Sequence, residues 1–316
     1  MAYIGELAAL TTAFCWSFTA VFFSEAGRRI GSFRVNCIRL FFAVIIYAVM
    51  LYIITGHFVP QDLNTAQIFW LALSGFIGLV IGDGCGFKAM VMIGPRLTML
   101  LYATAPIMAT IMAWFFLGEQ LGLIDLFGIT LTVFGVSWVV LERRFKGSNQ
   151  FNLESSHPDS GTLLKGVFLG LGAAFGQAAG LVLSKYGMLY AGGTVEPLPA
   201  SFVRMFASFI LIWLFAGFRG EIKGNIKAMK NSKAMLFAGG GAFFGPFMGV
   251  WMSLVAVKYI EAGIAATLNS LTPIFIIPVV MLHFKEKVSL RAFLGAVVAV
   301  LGVALLFLSD VILRLF

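Results

Sequence analysis

Long apolar runs alternate with short polar gaps along the whole chain. A helix that crosses a bilayer needs about 20 mostly apolar residues, because each residue adds about 1.5 Å of length. Turn-forming residues and most charged residues are confined to the gaps. The pattern therefore predicts an all-α integral membrane protein with ten transmembrane helices, spans 1 to 10, at residues 4–24, 33–54, 67–92, 97–117, 121–141, 164–184, 200–218, 234–257, 262–283 and 290–309.

A polar stretch between spans 5 and 6 divides the ten runs into two sets of five. Four pairs of residues in the two halves share one constant separation of 167 positions: Pro106 and Pro273, Glu119 and Glu286, Gly128 and Gly295, Gly135 and Gly302. Internal similarity of this kind is typical of membrane proteins built from repeats. We therefore expect a first repeat at residues 1–145, a linker at 146–162 and a second repeat at 163–316.

The basic residues predict how the repeats are oriented. Because five is odd, two consecutive repeats of five spans must enter the membrane in opposite senses, as inverted-topology repeats. Sixteen Lys and Arg residues follow odd-numbered spans, whereas the even-numbered loops and the termini hold only Lys185, Lys258 and Arg314. Cytoplasmic loops are rich in Lys and Arg. We therefore expect a multi-pass protein of the cell (inner or plasma) membrane with both termini outside.

Composition excludes several other classes of protein. Hydrophobic residues make up 60% of the chain and charged residues 11%, with a net charge of +8. In a soluble protein such a charge would suggest nucleic acid, but here it marks topology. The chain has three cysteines, Cys15, Cys37 and Cys85. Their odd number does not support a disulfide framework, and their spacing is not that of metal ligands. No nucleotide-binding motif is present. We expect no cofactor, no metal and no nucleic acid, and composition does not indicate an oligomeric state.

The repeated motif is similar to the EamA-type repeat of the drug/metabolite transporter superfamily. It reads Pro106, Gly118-Glu119, Gly128 and Gly135, and again Pro273, Glu286, Gly295 and Gly302, with Lys285 in place of the second Gly before Glu. The resemblance covers nearly the whole chain. It implies a ten-helix secondary transporter with a central cavity between the repeats. It also implies architectural roles for both prolines and for Glu119 and Glu286, which we expect at helix ends near the membrane interface.

Members of that family move amino acids, other metabolites, nucleotide sugars or drugs, often outward. The resemblance favours export of an amino acid or related small metabolite by alternating access, with lipid and the solute as partners and protons as a candidate coupling ion. A drug or nucleotide-sugar transporter and a non-transporting scaffold or receptor are the alternatives. An enzyme is not expected: Gly82-Asp83 resembles part of a membrane aspartyl protease motif, but no second deep Asp accompanies it.

Asp83 is the sharpest candidate for a functional residue, since it lies near the middle of span 3. A carboxylate in the bilayer is costly unless it is paired or serves a function. It could carry a proton, bind a cationic solute, or form a structural ion pair with Lys88, Arg39 or Arg204. Lys88 is five residues further on, about 140° around a helix, which disfavours a pair within that helix.

Other polar or aromatic residues deep in the spans are candidates for the cavity wall. Tyr102 and Asn269 precede Pro106 and Pro273 by one helical turn, where a proline frees a carbonyl group. They either line the cavity or form hydrogen bonds between helices. The remaining candidates either line the cavity or pack between helices: Trp16, Gln177 and Trp251.

Two groups of span residues have a structural alternative. Arg39 and Arg204 occupy matching positions and could either reach the membrane surface or bind an anionic group. Gly78, Gly82 and Gly86 recur every four residues and predict a stripe where another helix approaches closely.

Overall fold

A computed structural model describes residues 3–142, 160–275 and 290–313, and every regular element in these ranges is helical. Two short π-helical segments, π1 and π2, interrupt the α-helices at Phe76–Gly82 and Phe243–Gly249. The α-helices are α1 Ile4–Ile30, α2 Ser32–Thr55, α3 Thr65–Gly75, α4 Asp83–Tyr102, α5 Ala105–Leu117, α6 Leu123–Glu142, α7 Ser160–Leu189, α8 Pro197–Phe218, α9 Ile222–Met229, α10 Ser232–Ala242, α11 Val250–Tyr259, α12 Ala262–Asn269 and α13 Leu290–Leu313.

Eight stretches within the described residues are long and apolar enough to cross a membrane, and they coincide with predicted spans 1 to 8. Shorter apolar helices at Ala262–Phe275 and Phe293–Phe307 lie where spans 9 and 10 are predicted. The predicted linker, the end of span 9 and Glu286 fall at least in part outside the described residues. The eight longer stretches are Ile4–Ile30, Ser32–Thr55, Thr65–Met90, Leu97–Leu117, Leu123–Leu141, Gly161–Leu189, Pro197–Phe218 and Ser232–Tyr259.

Spans 3 and 8 begin in the same way and are interrupted in the same way. Asn64 and Asn231, which are 167 residues apart, are the N-caps of α3 and α10, where their side chains accept bonds from backbone N–H groups at 2.8 and 3.1 Å. An N-cap of this type satisfies an otherwise unpaired helix donor. π1 and π2 follow at the same separation. The repeat is therefore visible in the backbone of these two spans as well as in the sequence. π-Helical segments are also frequent at functional sites.

Spans 4 and 9 are broken where the prolines predict a disturbance. One helical segment ends at Tyr102 and the next begins at Ala105, while α12 ends at Asn269 and the helix resumes at residue 272. The motif had suggested prolines within continuous helices, but Pro106 lies in the first turn of α5. Proline is well tolerated there because the first-turn N–H has no helical acceptor. The breaks place Tyr102 and Asn269 at the last residues of the preceding helical segments.

The chain reverses direction inside the stretch assigned to α4. The Tyr102 hydroxyl lies over Gly86, where it would overlap any added side chain. Sixteen residues of straight helix would instead hold these positions about 24 Å apart. Spans 3 and 4, Thr65–Met90 and Leu97–Leu117, therefore form a hairpin.

The motif glycines lie where α6 and α13 cross. A side-chain carbon added at Gly128 would lie 3.1 Å from the carbonyl oxygen of Gly302, and one at Gly295 would lie 3.2 Å from that of Gly135. Residue numbers rise along α6 as they fall along α13, so these corresponding helices run antiparallel. Glycine permits this approach because it has no side chain to separate the backbones.

A second pair of crossings repeats the same geometry. Span 3 meets span 6 through Gly78 against Gly180 and Gly82 against Gly176, again in antiparallel order. At the related crossing between the halves, Gly245 and Gly249 of span 8 meet Thr19 and Trp16 of span 1. The predicted role of Gly78 and Gly82 in close helix packing matches these contacts, and Gly86 makes room for the Tyr102 hydroxyl.

Replacing Gly135 by Ala tests whether the crossing of α6 and α13 holds the two halves together. The added methyl would overlap the backbone at Ala299, so we expect the free energy of unfolding to fall by about 1–3 kcal/mol. Thermal unfolding in detergent measures the change. Gly27→Ala is the matched control, because nothing lies within 4 Å of a side chain added there. Equal stability of the two variants would contradict the packing role.

Candidate functional site

Asp83, Arg39 and Gln177 form a buried polar cluster at the end of π1. A guanidinium nitrogen of Arg39 contacts one carboxylate oxygen of Asp83, and the side-chain amide of Gln177 donates to the other at 2.7 Å. Arg39 is 1% exposed and Asp83 9%. Both oxygens of Asp83 are thus engaged by groups from spans 2 and 6. Of the three partners open to Asp83 in the sequence, the structure places Arg39 against it, and Lys88 is exposed.

The orientation of Arg39 is fixed from several sides. Its Nε donates to the side-chain oxygen of Asn36 at 2.7 Å, three residues earlier on α2. The rings of Phe23 and Phe87 lie 5.8 and 5.9 Å from its guanidinium carbon, within the range of cation–π attraction. Arg39 therefore does not reach towards the membrane surface. Sequence reasoning missed Asn36, although its spacing of three residues from Arg39 places both on one helix face.

Arg204 occupies the matching place in the second half but lacks the matching partner. It is 5% exposed and its Nε has no hydrogen-bond partner. The guanidinium lies beside Gly78 of π1, with Nη2 3.8 Å from where a side-chain carbon would stand. The position that corresponds to Asp83, 167 residues later, is the apolar Val250.

Other residues predicted from the sequence to line the cavity lie beside one or the other of the two π segments. Tyr102 lies over Gly86, one turn from Asp83, and so joins the cluster at π1. Trp16 and Trp251 lie at π2 instead: the Trp16 ring nitrogen faces Gly249, and the ring of Trp251 packs 5.7 Å from that of Phe247.

Asn269, the repeat counterpart of Tyr102, ends α12 with its side-chain oxygen buried and unpaired within the described residues. An unpaired buried acceptor costs free energy unless a partner fills it. This leaves Asn269 as a candidate for contact with a solute, in keeping with its place at the break in span 9.

Tyr47 stabilises π2 and was not found from the sequence. Pro246 lies inside π2, and proline has no N–H group to continue the helical bonding. The Tyr47 hydroxyl, which is fully buried, donates to the carbonyl oxygen of Phe247 at 2.8 Å. The local sequence holds no signal for this contact, since the two residues are 200 positions apart.

A second polar cluster joins the two repeats at the ends of spans 4, 6 and 8. Glu119 pairs with Lys185 at 2.6 Å and accepts from the backbone N–H of Ala262 at 2.8 Å. Lys185 also donates to the carbonyl oxygen of Ile260 at 2.7 Å. Glu119 lies at a helix-end turn, as predicted, but its side chain is only 10% exposed. It is therefore a buried link between helices rather than an open interfacial residue.

Glu261 lies in the turn between α11 and α12, beside this second cluster. Burial raises the pKa of its carboxyl group above the ordinary value. The neighbouring Lys185 opposes the rise in pKa, whereas the negative charges of Glu119 and Asp125 add to it. A carboxyl group with a raised pKa binds its proton more tightly in the folded protein than in the unfolded chain.

Removing either member of the Arg39–Asp83 pair should destabilise the protein, because the other charge would remain buried alone. We expect Asp83→Asn to lower the free energy of unfolding by about 3–5 kcal/mol. Adding Arg39→Met to that variant should recover much of the loss. Thermal unfolding of the two single variants and the double variant measures the coupling, and Asp62→Asn in an exposed loop is the control. Additive losses would contradict a direct pair.

The raised pKa of Glu261 predicts how stability depends on pH. The ordinary glutamate pKa, about 4.3, sets the lower end of the pH window, and the higher pKa of Glu261 in the folded state sets its upper end. The free energy of unfolding should fall as pH rises through this window, because the folded protein loses a proton that it binds more tightly than the unfolded chain does. We expect Glu261→Gln to be more stable than the unmodified protein at neutral pH and equal to it below that window. Unfolding curves across pH, with Asp62→Asn in an exposed loop as control, measure this. A constant difference at all pH values would contradict it.

Comparisons with known proteins agree with this architecture. The sequence matches the EamA-like transporter family over residues 3–141 and again over residues 164–308. A solved structure titled "Crystal structure of protein" has the same fold, with a TM-score of 0.73 at 16% identity over 96% of each chain. No curated protein matches the sequence. Because the two family matches together span most of the chain, this multi-pass membrane protein belongs to the EamA-like transporter family.

Proposed function

We propose that the protein is a secondary transporter that exports an amino acid or a related small metabolite across the cell membrane by alternating access. Its ten spans form two inverted repeats of five, with both termini outside. The observation that carries the proposal is the buried cluster of Arg39, Asp83 and Gln177 beside π1, which joins spans from both repeats. Transporter sites lie at the interface of such repeats, near broken helices.

The antiparallel packing of corresponding helices supports the inverted arrangement. α6 meets α13 through reciprocal glycine contacts, and these are the fifth predicted span of each half. The crossing of spans 3 and 6 has its counterpart in the crossing of spans 8 and 1. The excess of basic residues after odd-numbered spans supports the orientation.

Interrupted helices in both repeats support movement of a solute. Spans 3 and 8 contain π segments, and spans 4 and 9 are broken before a proline. Irregular backbone at membrane depth is tolerated where it is buried in protein or lines a water-filled cavity. Four such interruptions at repeat-related positions favour a pathway that alternately opens to either side over a static scaffold.

The Arg39–Asp83 pair gives protons a route to affect transport. Protonation of Asp83 would remove its charge and weaken its contact with Arg39, which would free span 2 from span 3. A proton gradient would then bias the opening of the site. In this proposal Asp83 is the coupling residue, and its bonds to Arg39 and Gln177 make it a poor partner for a cationic solute.

Flux into and out of proteoliposomes tests the proposed function. Pools of labelled amino acids, nucleosides and nucleotide sugars should be tried with and without a pH gradient. We expect saturable flux from the amino acid pool. Under the pH gradient, and only then, we expect Asp83→Asn to slow this flux at least tenfold. A tenfold change corresponds to about 1.4 kcal/mol of activation free energy. Asp62→Asn is the control. Absence of flux from every pool, with folded protein, would indicate a receptor or scaffold instead.

A further inference from the structure

Arg204 is a buried charge to which the described residues supply no counter-ion. It is 5% exposed, its Nε makes no hydrogen bond, and the nearest acidic group of the site, Asp83, is engaged by Arg39 and Gln177. A guanidinium group in apolar surroundings is strongly disfavoured unless it is paired. A chain that gained nothing from this arginine would be more stable with an apolar residue there.

The repeat shows which charge is missing. The first half carries both members of a pair, Arg39 and Asp83. The second half keeps the arginine but has Val250 in place of the acid, and Val250 is 5% exposed. Around π1 the described residues therefore hold two positive charges and one negative charge.

Ser201 adds a second unpaired donor on the same side of α8. It precedes Arg204 by three residues, so the two side chains share a helix face. Ser201 is fully buried, and its hydroxyl makes no hydrogen bond of good geometry within the described residues, where the Tyr47 hydroxyl is its polar neighbour. A cation without a counter-ion and a hydroxyl without a well-placed acceptor suit an oxyanion, because it brings both negative charge and several acceptor lone pairs.

We infer that the missing counter-ion is the solute itself, and that this site takes a small organic anion whose carboxylate or phosphate group pairs with Arg204 and Ser201. The inference rests on the proposed transport function and names the chemical class of its substrate. The solute anion would neutralise the excess charge at the site. The carboxylate of Asp83 serves a different purpose, since it holds Arg39.

Stability of the ligand-free protein is the first test. Arg204→Met removes the unpaired charge and keeps an unbranched side chain. We expect it to raise the unfolding midpoint by about 3–8 °C, whereas Arg39→Met, which leaves Asp83 buried without its partner, should lower the midpoint. A lower midpoint for Arg204→Met would overturn the inference.

Binding is the second test, with acids and amides of matched shape. The probes are succinate and alanine against succinamide and alaninamide, with inorganic phosphate and glucose 6-phosphate as a separate arm. We expect either the carboxylic acids or the phosphates to raise the unfolding midpoint of the unmodified protein by about 3–8 °C near saturation. The same compounds should not change the midpoint of Arg204→Met. The arm that responds identifies carboxylate or phosphate. Stabilisation by the amides, retention in Arg204→Met, or no response to any acid would overturn the inference.

Transport separates failure of this inference from failure of the proposed function. Flux of an uncharged solute that Arg204→Met leaves intact would overturn the anion site and keep the transporter. Flux of an acid that falls at least tenfold in Arg204→Met but persists in Gly27→Ala would support both.

Discussion

The close contact of Gly82 with Gly176 is the constraint on which the candidate site depends. Small residues allow two helix backbones to approach closely, and this contact between two glycines brings spans 3 and 6 of different repeats together. The residues that follow these glycines are Asp83 and Gln177, which therefore meet at 2.7 Å. A wider separation of the helices would leave both polar groups buried without each other. Packing and polar chemistry are thus set by one crossing.

Symmetry between the halves explains the scaffold, and departures from it indicate chemistry. Glycine crossings, N-cap asparagines, π segments and broken spans all occur twice at related positions. The polar groups do not: Gln177 corresponds to Trp16, Asn269 to Tyr102, and Val250 to Asp83. A duplicated framework needs the same contacts on both sides, whereas one solute needs a single asymmetric set of partners. The unequal pairs are therefore the positions at which the two halves differ in chemistry and not in framework.

Much of the fold could be predicted from the sequence, because membrane crossing imposes a length and an apolar composition that are visible locally. The repeated prolines indicate where spans 4 and 9 are disturbed, but not that one helix ends there and another begins. The N-caps Asn64 and Asn231 obey the same separation and could have been found. The π segments and the contact of Tyr47 with Phe247 could not, since they depend on how distant helices meet.

Positions along one helix limit which residues of the site can meet. The angular separation of Asp83 and Lys88 argues against a pair within that helix, and the structure places Arg39 against Asp83. The choice between Arg39 and Arg204 required the tertiary structure, because both lie at equivalent depth in equivalent spans. The burial of Glu119 was missed for the same reason: its partners, Lys185 and the N–H of Ala262, come from the other repeat.

The link made by Glu119 has a consequence for the balance between the two ends of the protein. It fastens the turn after span 4 to the first N–H of α12, so separation of the repeats at this end requires a charge-assisted bond to break. The residue that corresponds to Ala262 in the first half is Pro95, which has no N–H group to offer. The same latch therefore cannot form at the opposite end. The bond between Glu119 and the backbone of α12 therefore has no counterpart made with the same backbone group, and the two ends of the protein differ in this contact.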